Sequence, residues 1–174
     1  MHMPLYLALN NEGSVSRAAD PADLMACNCA ALRKAARRVS LLYDRHLASS
    51  GLTIGQYAIL AEIAGWSEGE APTLSALAQA LVMDRTALSH TLKPLERDGL
   101  IRLESDQRDR RARLVSLTML GRERASVARS CWVEAQAHFS KTFGGDQAIA
   151  LQALLRIVAD VDFGEIRHSA VRSE

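Results

Sequence analysis

GLIRLESDQRDRRARLVSLTMLG, from Gly99 to Gly121, holds two short β-like runs around a turn crowded with arginine. Ile101 to Glu104 alternates apolar Ile101 and Leu103 with Arg102 and Glu104, the period-two pattern of a half-buried strand. Ala112 to Leu117 supplies a returning strand, and Arg108, Asp109, Arg110, Arg111 and Arg113 crowd the tip between them. A hairpin tipped with guanidinium suits the narrow minor groove of DNA, where negative potential is concentrated. With a helix pair immediately upstream, the pattern predicts a winged helix-turn-helix. The expected fold class is mostly α, with additional N- and C-terminal dimerisation helices around that winged unit.

The upstream pair is legible in the same way. Thr73 or Ser75 caps a short helix, Leu74 to Leu81, with Leu77, Ala78 and Leu81 inward; Val82-Met83 forms the turn. Asp84 then caps a helix from Arg85 to Asp98 whose buried stripe is Leu88, Leu92 and Leu95. Its other side carries Arg85, Thr86, Ser89, His90 and Lys93, short polar and basic groups suited to base edges and phosphates in a major groove. Taken alone, this is an ordinary amphipathic surface helix; the adjoining turn and basic hairpin favour DNA reading. Pro94 is expected to bend the helix locally.

Composition sets the frame. A chain of 174 residues, 48% hydrophobic, buries one good core with an appended dimerisation part. Few aromatics, 10 Gly and 4 Pro favour helix. The formal net charge is only +1, so no global basic field announces nucleic acid. From Asp84 to Arg124, however, ten Lys or Arg face seven Asp or Glu, and the hairpin tip supplies much of that excess. Three cysteines, Cys27, Cys29 and Cys131, are an odd number and read as reduced thiols of a cytoplasmic protein. The N-terminus lacks the basic and apolar regions of a signal peptide, and no run is long enough to span a membrane.

Outside the winged unit, about residues 52–118, the chain is helical. Residues 1–20 read as a flexible arm and 164–174 as a tail, leaving a domain over 21–163 with dimerisation helices at about 21–50 and 118–163. The first helix begins near Pro21 or Asp23 and runs to about Ala48. Its apolar stripe is Cys29, Leu32, Ala36, Val39 and Tyr43, opposite a solvated basic face of Arg33, Lys34, Arg37, Arg38 and Arg45. Ser49-Ser50-Gly51 ends it, and Thr53-Ile54-Gly55-Gln56 opens the next helix as a capping box. After the hairpin, Thr118 caps a long helix to about Phe143, with Ala128, Cys131, Trp132, Ala135 and Phe139 on one face. Gly144-Gly145 breaks it, and Asp146 is expected to cap a final helix lined by Leu151, Leu154, Leu155, Val158 and Val161. Apolar helices flanking a small winged core need a partner, and a homodimer supplies one.

GLTIGQYAIL, LSALAQAL, MDRTALSHTLKPLERDGLI and DRRARLVSLTMLG, in this order and spacing, resemble the MarR family of bacterial transcription regulators, from about Asp23 to Val161. The resemblance implies a homodimer on a palindromic double-stranded DNA operator, acting as a repressor and released by an effector or by cysteine oxidation. It implies that Arg111 of the Asp109-x-Arg111 wing enters the minor groove, with Asp109 helping to position it. Cys29 resembles the reactive cysteine of the family's peroxide sensors, Cys131 their resolving cysteine, and Tyr43 and Tyr57 stand at matching spacings. Arg33 departs from that subgroup, which places a tyrosine there; Arg33 and Arg37 are suited to lowering a thiol pKa or holding an aromatic carboxylate.

Other readings compete. Cys29 and Cys131 also read as small buried hydrophobes, with a small aromatic or phenolic ligand as effector. Cys27, Cys29 and His46 lack a metal-ligand spacing, so neither metal nor cofactor is expected. A cysteine-dependent enzyme would want a phosphate loop, a nucleophile elbow or a metal-ligand helix, and none is legible, so no enzyme is expected. A winged helix used only for protein contacts has no use for an arginine-rich tip.

Overall fold

The structure is a computed structural model, and it describes residues 27–66 and 71–162. The expected arm, the tail and the expected helix start at residues 21–26 lie outside these. Among the described residues, six α-helices and one hairpin follow in order: α1 Asn28–Leu47, α2 Ile54–Gly65, α3 Leu74–Ala80, α4 Arg85–Arg97, β1 Ile101–Ser105, β2 Arg113–Leu117, α5 Met119–Phe143 and α6 Gly145–Asp160. The first part of α1, up to Val39, and the unit from Ser40 onward are two compact units. Along that first part Cys29 and Leu32 are exposed, as are Arg33, Lys34, Arg37 and Arg38 of the basic face. Cys29, expected to face inward near a dimer interface, is thus exposed in the single chain.

In the second unit the helix ends are set by local chemistry. A 3-10 turn at Ala48–Ser50 follows α1, and Gly51 at φ 71° turns the chain in the left-handed region, where glycine carries no Cβ penalty. Thr53 and Gln56 form the expected capping box on α2. Asp44 Oδ1 accepts from the Ile54 amide at 2.7 Å and ties the end of α1 to the start of α2. Further along, the Tyr43 hydroxyl donates to Gln136 Oε1, and His46 Nε2 meets His138 Nδ1 at 3.0 Å. Arg124 Nη1 donates to the Ser50 carbonyl at 2.9 Å. These bonds join the end of α1 and its 3-10 turn to α5.

The core is aliphatic. Leu47, Leu60, Leu77, Leu88, Leu92, Leu95 and Val115 are essentially inaccessible, each contributing about 1.5–3 kcal/mol by leaving water. They bring α2 against α5 and β2, α3 against α4, and α4 against β1. β1 and β2 pair antiparallel from Ile101 with Leu117 to Ser105 with Arg113. Pro72-Thr73 runs alongside as a minimal third strand: Thr73 bridges Leu114, and the Val115 amide donates to the Pro72 carbonyl at 2.9 Å. A single bridge leaves no alternating pattern for sequence reading to find.

Where the hairpin closes, α5 begins. Thr118 Oγ1 donates to the Gly99 carbonyl at 2.6 Å and accepts from the Gly121 amide at 2.9 Å. The Thr118 amide donates to the Leu100 carbonyl at 3.1 Å. A Cβ on Gly121 would overlap that same Leu100 carbonyl, so the root of α5 sits against the end of α4. Asp146 is not the cap of α6. Gly144, at φ 105°, takes the N-cap place without a side-chain bond, and Asp146 falls in the first turn. There its carboxylate still complements the positive end of the helix dipole. No residue of α6 is buried, and Ile149, Leu154, Leu155, Ile157 and Val158 are exposed in the single chain.

Candidate nucleic-acid interface

Asp84 starts the recognition-type helix. Its Oδ1 accepts from the amides of Thr86 at 2.8 Å and Ala87 at 3.1 Å, and these bonds hold the carboxyl below the usual aspartate range. Leu88, Leu92 and Leu95 anchor one face of α4 in the core. The opposite face presents Arg85, Thr86, His90 and Lys93 to solvent, with Ser89 half-buried. Ser89 Oγ donates to the Arg85 carbonyl at 2.8 Å, so its hydroxyl hydrogen is engaged within the helix and its oxygen keeps acceptor capacity. All five residues expected from the sequence lie on this one helix.

At the hairpin tip, two aspartates set the backbone. Asp106 Oδ1 accepts from the Arg108 amide at 2.8 Å, and Asp109 Oδ1 from the Arg111 amide at 2.9 Å. Side-chain carboxylates bonding two residues on make Asx-turns, which stiffen a loop that has no core of its own. Main-chain bonds from Asp106 to the Ala112 carbonyl at 3.0 Å and from Ala112 to the Asp109 carbonyl at 2.8 Å close the loop. Arg108, Arg110 and Arg111 project from it exposed. Asp109 therefore contacts the backbone of Arg111 rather than its guanidinium. The tip is a hydrogen-bonded mount for long cationic side chains, whose charge and planar donors are suited to phosphate and groove edges.

The residues singled out as effector or redox positions divide between the two units, Cys29 and Arg33 in the first and Tyr43, Tyr57 and Cys131 in the second. Tyr43 is buried against Gln136, and burial raises its phenol pKa. Cys131, half-buried on α5, lies 3.3 Å from Ser49 Oγ. Cys29 and Arg33 are exposed on the first part of α1. Tyr57 lines a cleft of about 360 Å³ between α2, the end of β2 and α5. Its floor is Tyr57, Ala61, Ala64 and Leu117, and Arg122, Ser126 and Arg129 line the α5 side. Arg122, Ser126 and Arg129 fall at i, i+4 and i+7 of one helix, so they share a face. That spacing was available in the sequence; a single arginine stripe facing small residues of another helix carries no motif and goes unread without the fold.

Comparison with known proteins places this geometry. A model of the MarR family matches residues 50–112, from the end of the 3-10 turn through α4 and β1 to the wing. The transcriptional activatory protein BadR of Rhodopseudomonas palustris is 35% identical over 78 residues, 45% of either chain, so this chain matches less than half of that relative's length. The structure of the transcriptional regulator MosR of M. tuberculosis in complex with DNA is 32% identical, with 78% of this chain and 99% of that one aligned at a TM-score of 0.63. BpsR of Bordetella bronchiseptica, described with regulation of its DNA binding by 6-hydroxynicotinic acid, is 25% identical at a TM-score of 0.68, over 82% of this chain and 100% of that one. The family model falls on the two helices and wing that carry the arginine-rich face, and a regulator seen on DNA aligns along almost its whole length; the chain belongs to the MarR family of transcription regulators.

Proposed function

We propose that the chain is a sequence-specific DNA-binding repressor that works as a homodimer on a palindromic operator and lets go when an aromatic carboxylic acid binds. The observation that carries the DNA reading is the arginine-tipped wing, stiffened by Asp106 and Asp109, next to a capped helix with an exposed polar face. Homodimerisation is supported by α6, which exposes most of its aliphatic residues on a single chain. The test is selection of bound fragments from a random duplex library. Recovery of an inverted repeat, with half-sites about one helical turn or 34–36 Å apart, supports the reading. Recovery of no consensus removes it. Repression is the proposed direction because a dimer on its operator occludes polymerase; activation, the role named for BadR, is the other outcome of a promoter-reporter assay.

The ligand reading rests on the cleft beside Tyr57. An apolar floor with an aromatic ring suits a flat ring, and two guanidiniums on one wall suit a carboxylate. That BpsR responds to an aromatic acid supports the chemistry. Arg129→Ala is expected to leave operator affinity intact while weakening release by a benzoate- or nicotinate-type acid about tenfold or more, as removal of a charge-assisted hydrogen bond of about 1.5–3 kcal/mol would. Unchanged release would move the ligand elsewhere. Oxidation of Cys29, with capture by Cys131, is the competing trigger. Peroxide release that Cys29→Ser abolishes would replace the ligand reading.

A further inference from the structure

Between α3 and α4 the chain turns on a residue badly suited to the job. The Met83 amide donates to the Ala78 carbonyl at 2.8 Å and the Val82 amide to the Gln79 carbonyl at 3.0 Å. This is the paired bonding of a Schellman C-cap, which needs a left-handed residue just past the helix and favours glycine there. Val82 occupies that place at φ 51°, the one non-glycine residue with positive φ among the described residues. For a β-branched side chain this backbone is a genuine outlier. Core packing does not repay the strain, because Val82 is 76% exposed, the most exposed large apolar side chain among the described residues.

We propose that Val82 is a DNA contact, kept despite its strain because its isopropyl group touches the operator and contributes to base choice. The inference rests on the DNA reading above. Val82 stands two residues before the Asp84 cap and three before Arg85, on the turn that delivers the start of α4. The first residues of a recognition helix face base edges, and an apolar group among them complements the thymine methyl, the one apolar feature of the major-groove edge. Strain held at an exposed side chain marks a functional position when the fold itself gains nothing from that side chain.

Val82→Gly separates the two roles, since glycine adopts the same turn freely and removes only the isopropyl group. Melting of the full chain and binding to its library-selected duplex are measured for both proteins, together with base preference across the half-site. Val82→Gly is expected to raise Tm, to weaken operator binding roughly tenfold, and to relax preference at a thymine in each half-site. A higher Tm with affinity within about twofold of wild type and unchanged base preference would overturn the contact. A lower Tm would overturn the strain argument. If wild type itself selects no sequence, the DNA reading fails instead, so the two failures are distinguishable.

Discussion

Arg111 illustrates how much one residue depends on its neighbour's carboxylate. Its amide is held by Asp109 at 2.9 Å while the guanidinium stays exposed, so backbone and side chain have separate tasks. Arg111→Ala removes the cation and leaves the Asx-turn intact. Operator affinity should fall, the slope of log K against log salt should become shallower by about 0.9 for each phosphate no longer neutralised, and Tm should hold. An unchanged salt slope in anisotropy titrations would take the wing off the DNA. The pairing of Asp109 with Arg111 at the hairpin tip was legible in the sequence. The detail that Asp109 grips main chain was not, because an Asx-turn and a salt bridge ask for the same two residue types. Val82 was legible only as a turn residue; its left-handed backbone emerges from helix ends that three-dimensional packing sets.

At the level of elements, agreement is closest where caps and periodicity coincide. Thr53, Thr73, Asp84 and Thr118 each cap the helix expected of them, and the helices begin within a residue of expectation. Where a glycine pair leaves the start open, as at Gly144-Gly145, local chemistry did not fix the N-cap. The Asp84 cap also gives α4 a pH dependence. Amide bonds to its carboxylate lower the folded pKa below the unfolded value. The stability it contributes is therefore full above the ordinary aspartate range and is lost as pH falls through the depressed folded value. Asp84→Ala should lower Tm at neutral pH, and the gap between the two proteins should narrow on acidification below the carboxylate range. Parallel melting curves from pH 7 down to about 3 check this; a gap independent of pH would mean that the cap contributes by shape rather than charge.

For the whole molecule, α6 is the element least explained by its own chain. An amphipathic helix with most of its aliphatic residues exposed is not stable as a surface feature, so its covering must come from outside the described chain. In the proposed dimer, Leu155→Glu places an unpaired charge in the interface. The dimer should weaken at least tenfold, about 1.4 kcal/mol or more, and operator binding should weaken with it. Sedimentation equilibrium checks the first and anisotropy the second; a dimer of unchanged strength would locate the interface elsewhere. The surplus of apolar helix over what one winged core absorbs was visible in the sequence. The cleft was not, because its α2 residues are more than fifty positions away from those of β2 and α5.

The junction at Thr118 gives α5 the character of a lever. Thr118 is bonded at once to the carbonyls that follow α4, to its own helix and, through its chain neighbours, to the hairpin. Reading helix and wing therefore share one fulcrum, and a tilt of α5 swings them together instead of loosening either. The long arm runs twenty-five residues, roughly 37 Å, toward α6, while the cleft at Arg122 and Arg129 opens one to three turns from the pivot. A ligand in that cleft, as proposed above, would act at the short end. In the proposed dimer, a small tilt about that pivot would turn both readers of one half-site together and change their spacing from the partner's pair, which must match the pitch of the duplex.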